Sequence, residues 1–212
     1  ATDGGVFTSV SAGRRWYPAQ GDLPWLEVQD LALGADGQLW AATQSGGIYA
    51  SADRGAHWIR RSEGVGSENV VAVEYLGEGA SGSRLVAATW DAGVYITSDG
   101  GESWAPAQRG PQSPYLRALA SGVGYSDLPW TFVATSTGVY RSADRGLTWD
   151  DAGLFGLDLS SIALHPRYAT RPNCYAGSLQ GGVYYSLNGG LTWGALNMGL
   201  GNLHVNALHT AD

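Results

Sequence analysis

Five copies of one short turn motif recur along the chain. They read Ser9-Val10-Ser11-Ala12-Gly13-Arg14-Arg15-Trp16, Ser51-Ala52-Asp53-Arg54-Gly55-Ala56-His57-Trp58, Thr97-Ser98-Asp99-Gly100-Gly101-Glu102-Ser103-Trp104, Ser142-Ala143-Asp144-Arg145-Gly146-Leu147-Thr148-Trp149 and Ser186-Leu187-Asn188-Gly189-Gly190-Leu191-Thr192-Trp193. The third positions, Ser11, Asp53, Asp99, Asp144 and Asn188, are spaced by 42, 46, 45 and 44 residues. A period of that size, with strand-like residues between the turns, calls for a stacked or circular array of small sheets.

Each period reads as four short antiparallel strands, the content of one propeller blade. In the second full repeat these are Val70–Tyr75, Leu85–Thr89, Val94–Thr97 and Ser103–Ala107. The expected architecture is all-β: a five-bladed β-propeller of four-stranded antiparallel blades. Its blades span approximately 26–65, 66–112, 113–155 and 156–202, with a composite blade from 1–25 and 203–212. In that blade a first strand at Val205–His209 joins the N-terminal strands, which closes the ring and leaves no open sheet edge.

Composition fits this reading: 32 glycines for tight turns, nine Trp, and no helix-period segment with a polar face. The net charge of −7 argues against a nucleic-acid backbone or an anionic membrane as partner. All twelve basic residues are Arg. No apolar run approaches the ~20 residues needed to cross a bilayer as a helix. Cys174 is the single cysteine, so the chain makes no internal disulfide and the redox compartment stays open. The opening at Ala1-Thr2-Asp3 falls in mid-pattern, as expected after a removed leader or a truncation.

The motif is chemically a turn-locking device. A short carboxylate or amide accepts from backbone N–H groups one or two residues ahead. Gly two residues on permits positive φ, the hydroxyl before Trp bonds back to the carboxylate, and the Trp covers the turn. The structural set is Asp53, Gly55, Trp58, Asp99, Gly101, Trp104, Asp144, Gly146, Trp149, Asn188, Gly190 and Trp193. Each copy has at most two carboxylates, too few for a calcium loop, so no metal and no cofactor is expected.

With these residues the chain resembles the Asp-box, or BNR, repeat family of sialidases, sortilin-type receptors, oligoxyloglucan-degrading enzymes and photosystem II assembly factors. Three copies match well, the last has Asn188 for Asp, and the first is degenerate. The resemblance implies a propeller in which the motif lies between the third and fourth strands, on the rim away from the usual binding face. It implies little about function, because sites are grafted onto this scaffold.

The expected binding face is built from fourth-to-first-strand connections and second-to-third-strand turns. Trp25 stands where other blades carry small residues, and Trp90 is equally exceptional in its turn. Both suit sugar stacking or a protein hot spot, or simply cover blade ends. The second position of each first strand holds Gln29, Val71, Arg117, Ser160 and Asn206, a mostly polar column. Arg117 reads either as a ligand group or as a channel ion pair with Asp30 or Glu74. The candidate binding set is Trp25, Glu27, Trp90, Asp91, Tyr115 and Arg117, with no catalytic residue assigned. His204 reads as a solvated residue, and Arg14-Arg15 and Arg60-Arg61 as solvated edge charges. A glycosidase would need a facing pair from Asp3, Glu27, Glu68, Asp91 and Asp158, and nothing in the sequence singles one out. The Arg-Ile-Pro signature of sialidases is absent. The expectation is therefore a non-catalytic scaffold, an assembly factor or a subunit of a larger complex, with a protein partner. The alternative is a carbohydrate-binding module or glycosidase-like propeller with a glycan partner.

Overall fold

The computed structural model describes residues 2, 4–19, 21–24, 27–79, 81–113, 115–123 and 129–211, so Asp3 and Trp25 lie outside the described residues. The chain divides into two compact units, Ala1–Ala105 and Pro106–Asp212. Among the described residues all regular structure is antiparallel β.

The first unit holds a two-stranded sheet, β1 (Phe7–Thr8) and β2 (Tyr17–Pro18). A four-stranded sheet follows, β3 (Val28–Leu33), β4 (Leu39–Thr43), β5 (Gly47–Ser51) and β6 (Ile59–Arg60). The next sheet is β7 (Val70–Glu78), β8 (Ser83–Thr89), β9 (Val94–Thr97) and β10 (Ala105–Pro106), whose last residue opens the second unit. The second unit holds β11 (Leu116–Val123), β12 (Pro129–Thr135), β13 (Gly138–Ser142) and β14 (Asp150–Asp151). Its other sheet is β15 (Leu159–Leu164), β16 (Cys174–Ser178), β17 (Gly182–Ser186) and β18 (Gly194–Ala195). Every four-stranded sheet meanders in sequence order.

Second strands carry the core because both of their faces are covered. Trp40, Ala41, Ala42, Val86, Ala87, Ala88, Phe132, Val133 and Ala134 are all fully buried. This is why the runs read as apolar without clean alternation. In the first unit Trp40, Ile48, Val70, Val73 and Leu85 form one cluster, and Val6, Leu23, Val28 and Trp58 another. In the second unit Phe132, Val139, Leu159, Ile162 and Cys174 pack together. Burial pushes the Cys174 thiol up to about 12, so it stays protonated at neutral pH.

One feature differs from the sequence reading. The outer strands are only two residues long, so Ser103–Ala107 shortens to Ala105–Pro106. Short outer strands leave little backbone open to edge pairing. From the stretch at 205–210, expected to supply a first strand, hydrogen bonds reach β15 and β16. Val205 N donates to Ser178 O at 3.0 Å, and Thr210 Oγ1 to Leu164 O at 2.5 Å.

Candidate functional site

The repeat turns form a lock at one end of each sheet. Ser51, Thr97, Ser142 and Ser186 donate their hydroxyls to the side-chain oxygen of Asp53, Asp99, Asp144 and Asn188 at 2.6–2.9 Å. The same hydroxyls accept from the N–H of Gly55, Gly101, Gly146 and Gly190 at 2.8–3.1 Å. The carboxylate or amide oxygen accepts from the N–H four residues on, at His57, Ser103, Thr148 and Thr192, at 2.8–3.1 Å. This corrects the expected reach of one or two residues. The span is longer because two consecutive residues, such as Arg54 and Gly55 or Gly100 and Gly101, take positive φ and coil the loop under the side chain. The back-bond from the hydroxyl before Trp forms as expected, at 2.6 Å from Ser103 and 2.5 Å from Thr148.

The Trp side chains tie sheets together within a unit. Trp58 Nε1 donates to Ala19 O at 3.3 Å, Trp104 Nε1 to Arg61 O at 2.8 Å and Trp193 Nε1 to Ala152 O at 2.6 Å. Each acceptor directly follows the outer strand of the preceding sheet. Among the described residues no three of His, Cys, Asp and Glu gather as a metal site.

These turns carry a pH signature. The N–H of His57, then its ring, hold the Asp53 carboxyl down at about 2. At Asp99 and Asp144 burial pushes upward, but bonds from Ser103, Thr97, Thr148 and Ser142 win and lower both. A carboxyl lowered on folding contributes stability above its ordinary value of 3.8, and that contribution is lost as pH falls through the folded value. His57 acts in the opposite sense. Asp53 raises it above 6.5, so its contribution fades as pH rises through the raised value. The urea midpoint is therefore expected to fall steeply between about pH 4 and pH 2, and Asp99→Asn with Asp144→Asn to flatten that limb. An unchanged limb in the double variant would contradict the assignment.

The opposite end of each sheet is the expected binding face. There a backbone bond repeats. Gln44 N donates to Glu27 O, Trp90 N to Asn69 O, Ser136 N to Tyr115 O and Leu179 N to Asp158 O, all at 2.9–3.0 Å. Each joins a second-to-third turn to the residue just before the first strand. Thr43, Thr89 and Thr135 tighten those turns, each donating its hydroxyl to the carbonyl of Gly47, Gly93 or Gly138 at 2.8 Å. A register shift sits at the second position of every first strand, between Val28 and Asp30, Val70 and Ala72, Leu116 and Ala118, and Leu159 and Ser161. Gln29, Val71, Arg117 and Ser160 are thus β-bulge residues, each in its own sheet, and a bulge is a device that re-aims side chains.

Of the candidate residues, Glu27, Trp90 and Asp91 belong to the first unit, Tyr115 and Arg117 to the second. Glu27 is exposed and accepts from Gln29 Nε2 at 3.1 Å. Trp90 is half-buried and Asp91 exposed. Tyr115 is 43% exposed. Arg117 pairs with Asp158. Its Nη2 lies 3.2 Å from both carboxylate oxygens of Asp158, which precedes the first strand of the next sheet. Asp30 accepts from its neighbour Leu31 N at 2.8 Å and from Val73 N at 3.1 Å, across to β7. Burial raises its pKa, while these two bonds lower it. His204 is exposed, with Nδ1 2.8 Å from Leu179 O and Nε2 3.0 Å from Asn206 Oδ1. Arg60 and Arg61 are not bare edge charges: Arg60 pairs with Glu68, and Arg61 with Glu102 at 2.5 Å. Sequence reasoning passed over Phe155, which is 72% exposed in the connection leading to β15. Its signal was an aromatic enclosed by turn glycines, Gly153-Leu154-Phe155-Gly156.

No family model and no curated protein matches the chain. Among solved structures it is similar to an ancestral GH74 enzyme, with a TM-score of 0.70 and 16% identity, covering 96% of this chain and 30% of the other. It is similar to the GH74 xyloglucanase from Xanthomonas campestris, with a TM-score of 0.62 and 24% identity, covering 90% of this chain and 28% of the other. It is also similar to YCF48 bound to D1 peptide, with a TM-score of 0.61 and 15% identity, covering 86% of this chain and 58% of the other. The chain spans less than a third of the GH74 proteins and 58% of YCF48. At these identities the likeness is one of fold, and together with the meandering antiparallel sheets it makes the architecture that of a β-propeller.

Proposed function

We propose that the chain is a non-catalytic β-propeller interaction scaffold, an assembly factor or subunit of a larger complex, which binds a protein partner through the face opposite the repeat turns. One observation carries this reading. The backbone of that face repeats from sheet to sheet through the same hydrogen bond, yet the side chains on it do not repeat. Glu27, Asn69, Tyr115 and Asp158 occupy one position, and Gln44, Trp90, Ser136 and Leu179 the other. The same backbone frame with different side chains in each sheet suits one irregular partner, whereas a ligand bound once per blade would meet the same residue each time. The similarity to a peptide-bound YCF48 agrees with this reading as analogy.

The test is affinity capture from the source organism followed by binding measurements with the purified partner. Trp90→Ala and Arg117→Ala are each expected to weaken binding at least about tenfold, the size of a hot-spot loss. Leu187→Ser, on a repeat turn, is expected to leave it unchanged. Micromolar binding on a glycan array, abolished by Trp90→Ala, would replace this reading with a carbohydrate-binding module. Turnover of aryl glycosides would replace it with a glycosidase.

A further inference from the structure

The fifth repeat turn carries a chemical pair that the other turns lack: Asn188 followed directly by Gly189. The fold fixes this glycine. Its φ is 72°, and a β-carbon there would lie 3.0 Å from the Tyr168 hydroxyl. Tyr168 is buried, with its ring edge-on to Phe132 at 5.9 Å between centroids, so it has little room to give way. Two sister turns carry Arg54 and Arg145 at the same position, at φ of 62° and 64°. The fifth turn therefore needs glycine for packing as well as for backbone angle. An asparagine ahead of glycine is a labile amide, because a nitrogen with no side chain beside it can reach the amide carbon.

Both reacting groups are engaged in the native turn. Gly189 N donates to Pro172 O at 2.8 Å, and Arg141 Nη1 donates to Gly189 O at 2.8 Å. Asn188 Oδ1 accepts from Ser186 Oγ at 2.8 Å and from Thr192 N at 3.0 Å, and Nδ2 donates to Thr192 Oγ1 at 2.8 Å. A nitrogen whose hydrogen is held by a carbonyl is poorly placed to lose it and attack, and an amide gripped at both ends cannot swing onto that nitrogen. Asn188 is nonetheless exposed, as is Leu187 beside it, so local opening of this loop brings the pair into water.

We infer that Asn188 is a latent self-modification site: the native turn suppresses its deamidation, and local opening of the turn licenses it. Water is the only co-reactant. The Gly189 nitrogen gives its proton to solvent base, and its electron pair forms a bond to Asn188 Cγ. The Cγ–Nδ2 bond breaks, and Nδ2 leaves as ammonia with a proton taken from solvent. Water then opens the cyclic imide on one side or the other. Cleavage between the Gly189 nitrogen and Cγ gives an aspartate with the main chain restored. Cleavage between that nitrogen and the Asn188 backbone carbonyl gives an isoaspartate, with the main chain rerouted through the side chain. The aspartate returns this turn to the pattern of its sisters, with Thr192 donating its hydroxyl as Thr148 does to Asp144 at 2.5 Å. The isoaspartate adds a carbon to the main chain between Ser186 and Thr192, so the turn loses its register. This chemistry is independent of the partner-binding reading above.

The test is incubation of the full chain at mildly alkaline pH, in native buffer and in guanidinium chloride, with mass spectrometry of the peptide that carries residues 188–189. Conversion in native buffer is expected to be at least about tenfold slower than in denaturant. Thr192→Val removes the bond to Nδ2 and is expected to raise the native-buffer rate about threefold while leaving the denatured rate unchanged. Gly189→Ala in denaturant is expected to slow conversion, which identifies the attacking nitrogen. Asn188→Asp is expected to melt with the parent, as the aspartate product requires. Equal rates in native buffer and denaturant would overturn the inference, and so would conversion in neither. A folded Thr192→Val chain converting no faster than the parent would overturn it as well. The comparison made on the parent chain holds even where Thr192→Val does not fold.

Discussion

Replacing Trp40 with alanine is expected to destabilise the first unit by about 4 kcal/mol, because a large fully buried side chain leaves a cavity its surroundings fill only in part. Trp40 has no exposed surface and lies among Ile48, Val70, Val73 and Leu85. Its ring stacks on Tyr75 at 6.1 Å between centroids and 17° between planes. Urea unfolding followed by circular dichroism measures the loss. Two controls sharpen the result. Trp40→Phe keeps most of the volume and removes an indole N–H that has no hydrogen-bond partner among the described residues. An orphaned buried donor costs about 1–3 kcal/mol, so this variant is expected to lose less than about 1.5 kcal/mol. Trp16→Ala is expected to change stability by no more than about 0.5 kcal/mol, since Trp16 is 61% exposed. Equal losses at Trp16 and Trp40 would contradict the packing described here.

The second large effect lies in the repeat turns. Asp144 accepts from Ser142 Oγ at 2.8 Å, Thr148 N at 2.8 Å and Thr148 Oγ1 at 2.5 Å. Asp144→Ala leaves all three donors without this partner and is expected to cost about 2–3 kcal/mol. Asp144→Asn is expected to cost below about 1 kcal/mol, and the protein already contains the reason. At the fifth turn Asn188 Oδ1 accepts from Ser186 Oγ at 2.8 Å and Thr192 N at 3.0 Å, while its Nδ2 donates to Thr192 Oγ1 at 2.8 Å. The hydroxyl of Thr192 accepts where that of Thr148 donates, and a hydroxyl can do either. Differential scanning calorimetry of the two variants checks this. A loss for Asn as large as for Ala would show that charge, and not the bonding pattern, holds the turn.

The shared turn chemistry was legible because it is local. Ser-x-Asp-x-Gly-x-Thr-Trp closes its own hydrogen bonds within eight residues, so five copies announce five reversals whatever surrounds them. The burial of second strands was legible for a related reason: runs such as Leu85-Val86-Ala87-Ala88-Thr89 have no polar side to give to water. Less legible was the reach of the carboxylate to the fourth N–H onward, which depends on paired positive φ angles such as those at Arg54 and Gly55.

By itself, then, the amino-acid order determined the repeat, the all-β class and the bonding of each turn, since these need contacts only among near neighbours. Tertiary structure decided which of several equivalent residues meets which. It brought Arg117 to Asp158, 41 residues away. It buried Trp40 and Trp104 while leaving Trp16 in water, and it turned Phe155 outward between two partly buried leucines. Those outcomes depend on distances between separate sheets and on which surfaces they cover, quantities that a one-dimensional period does not contain.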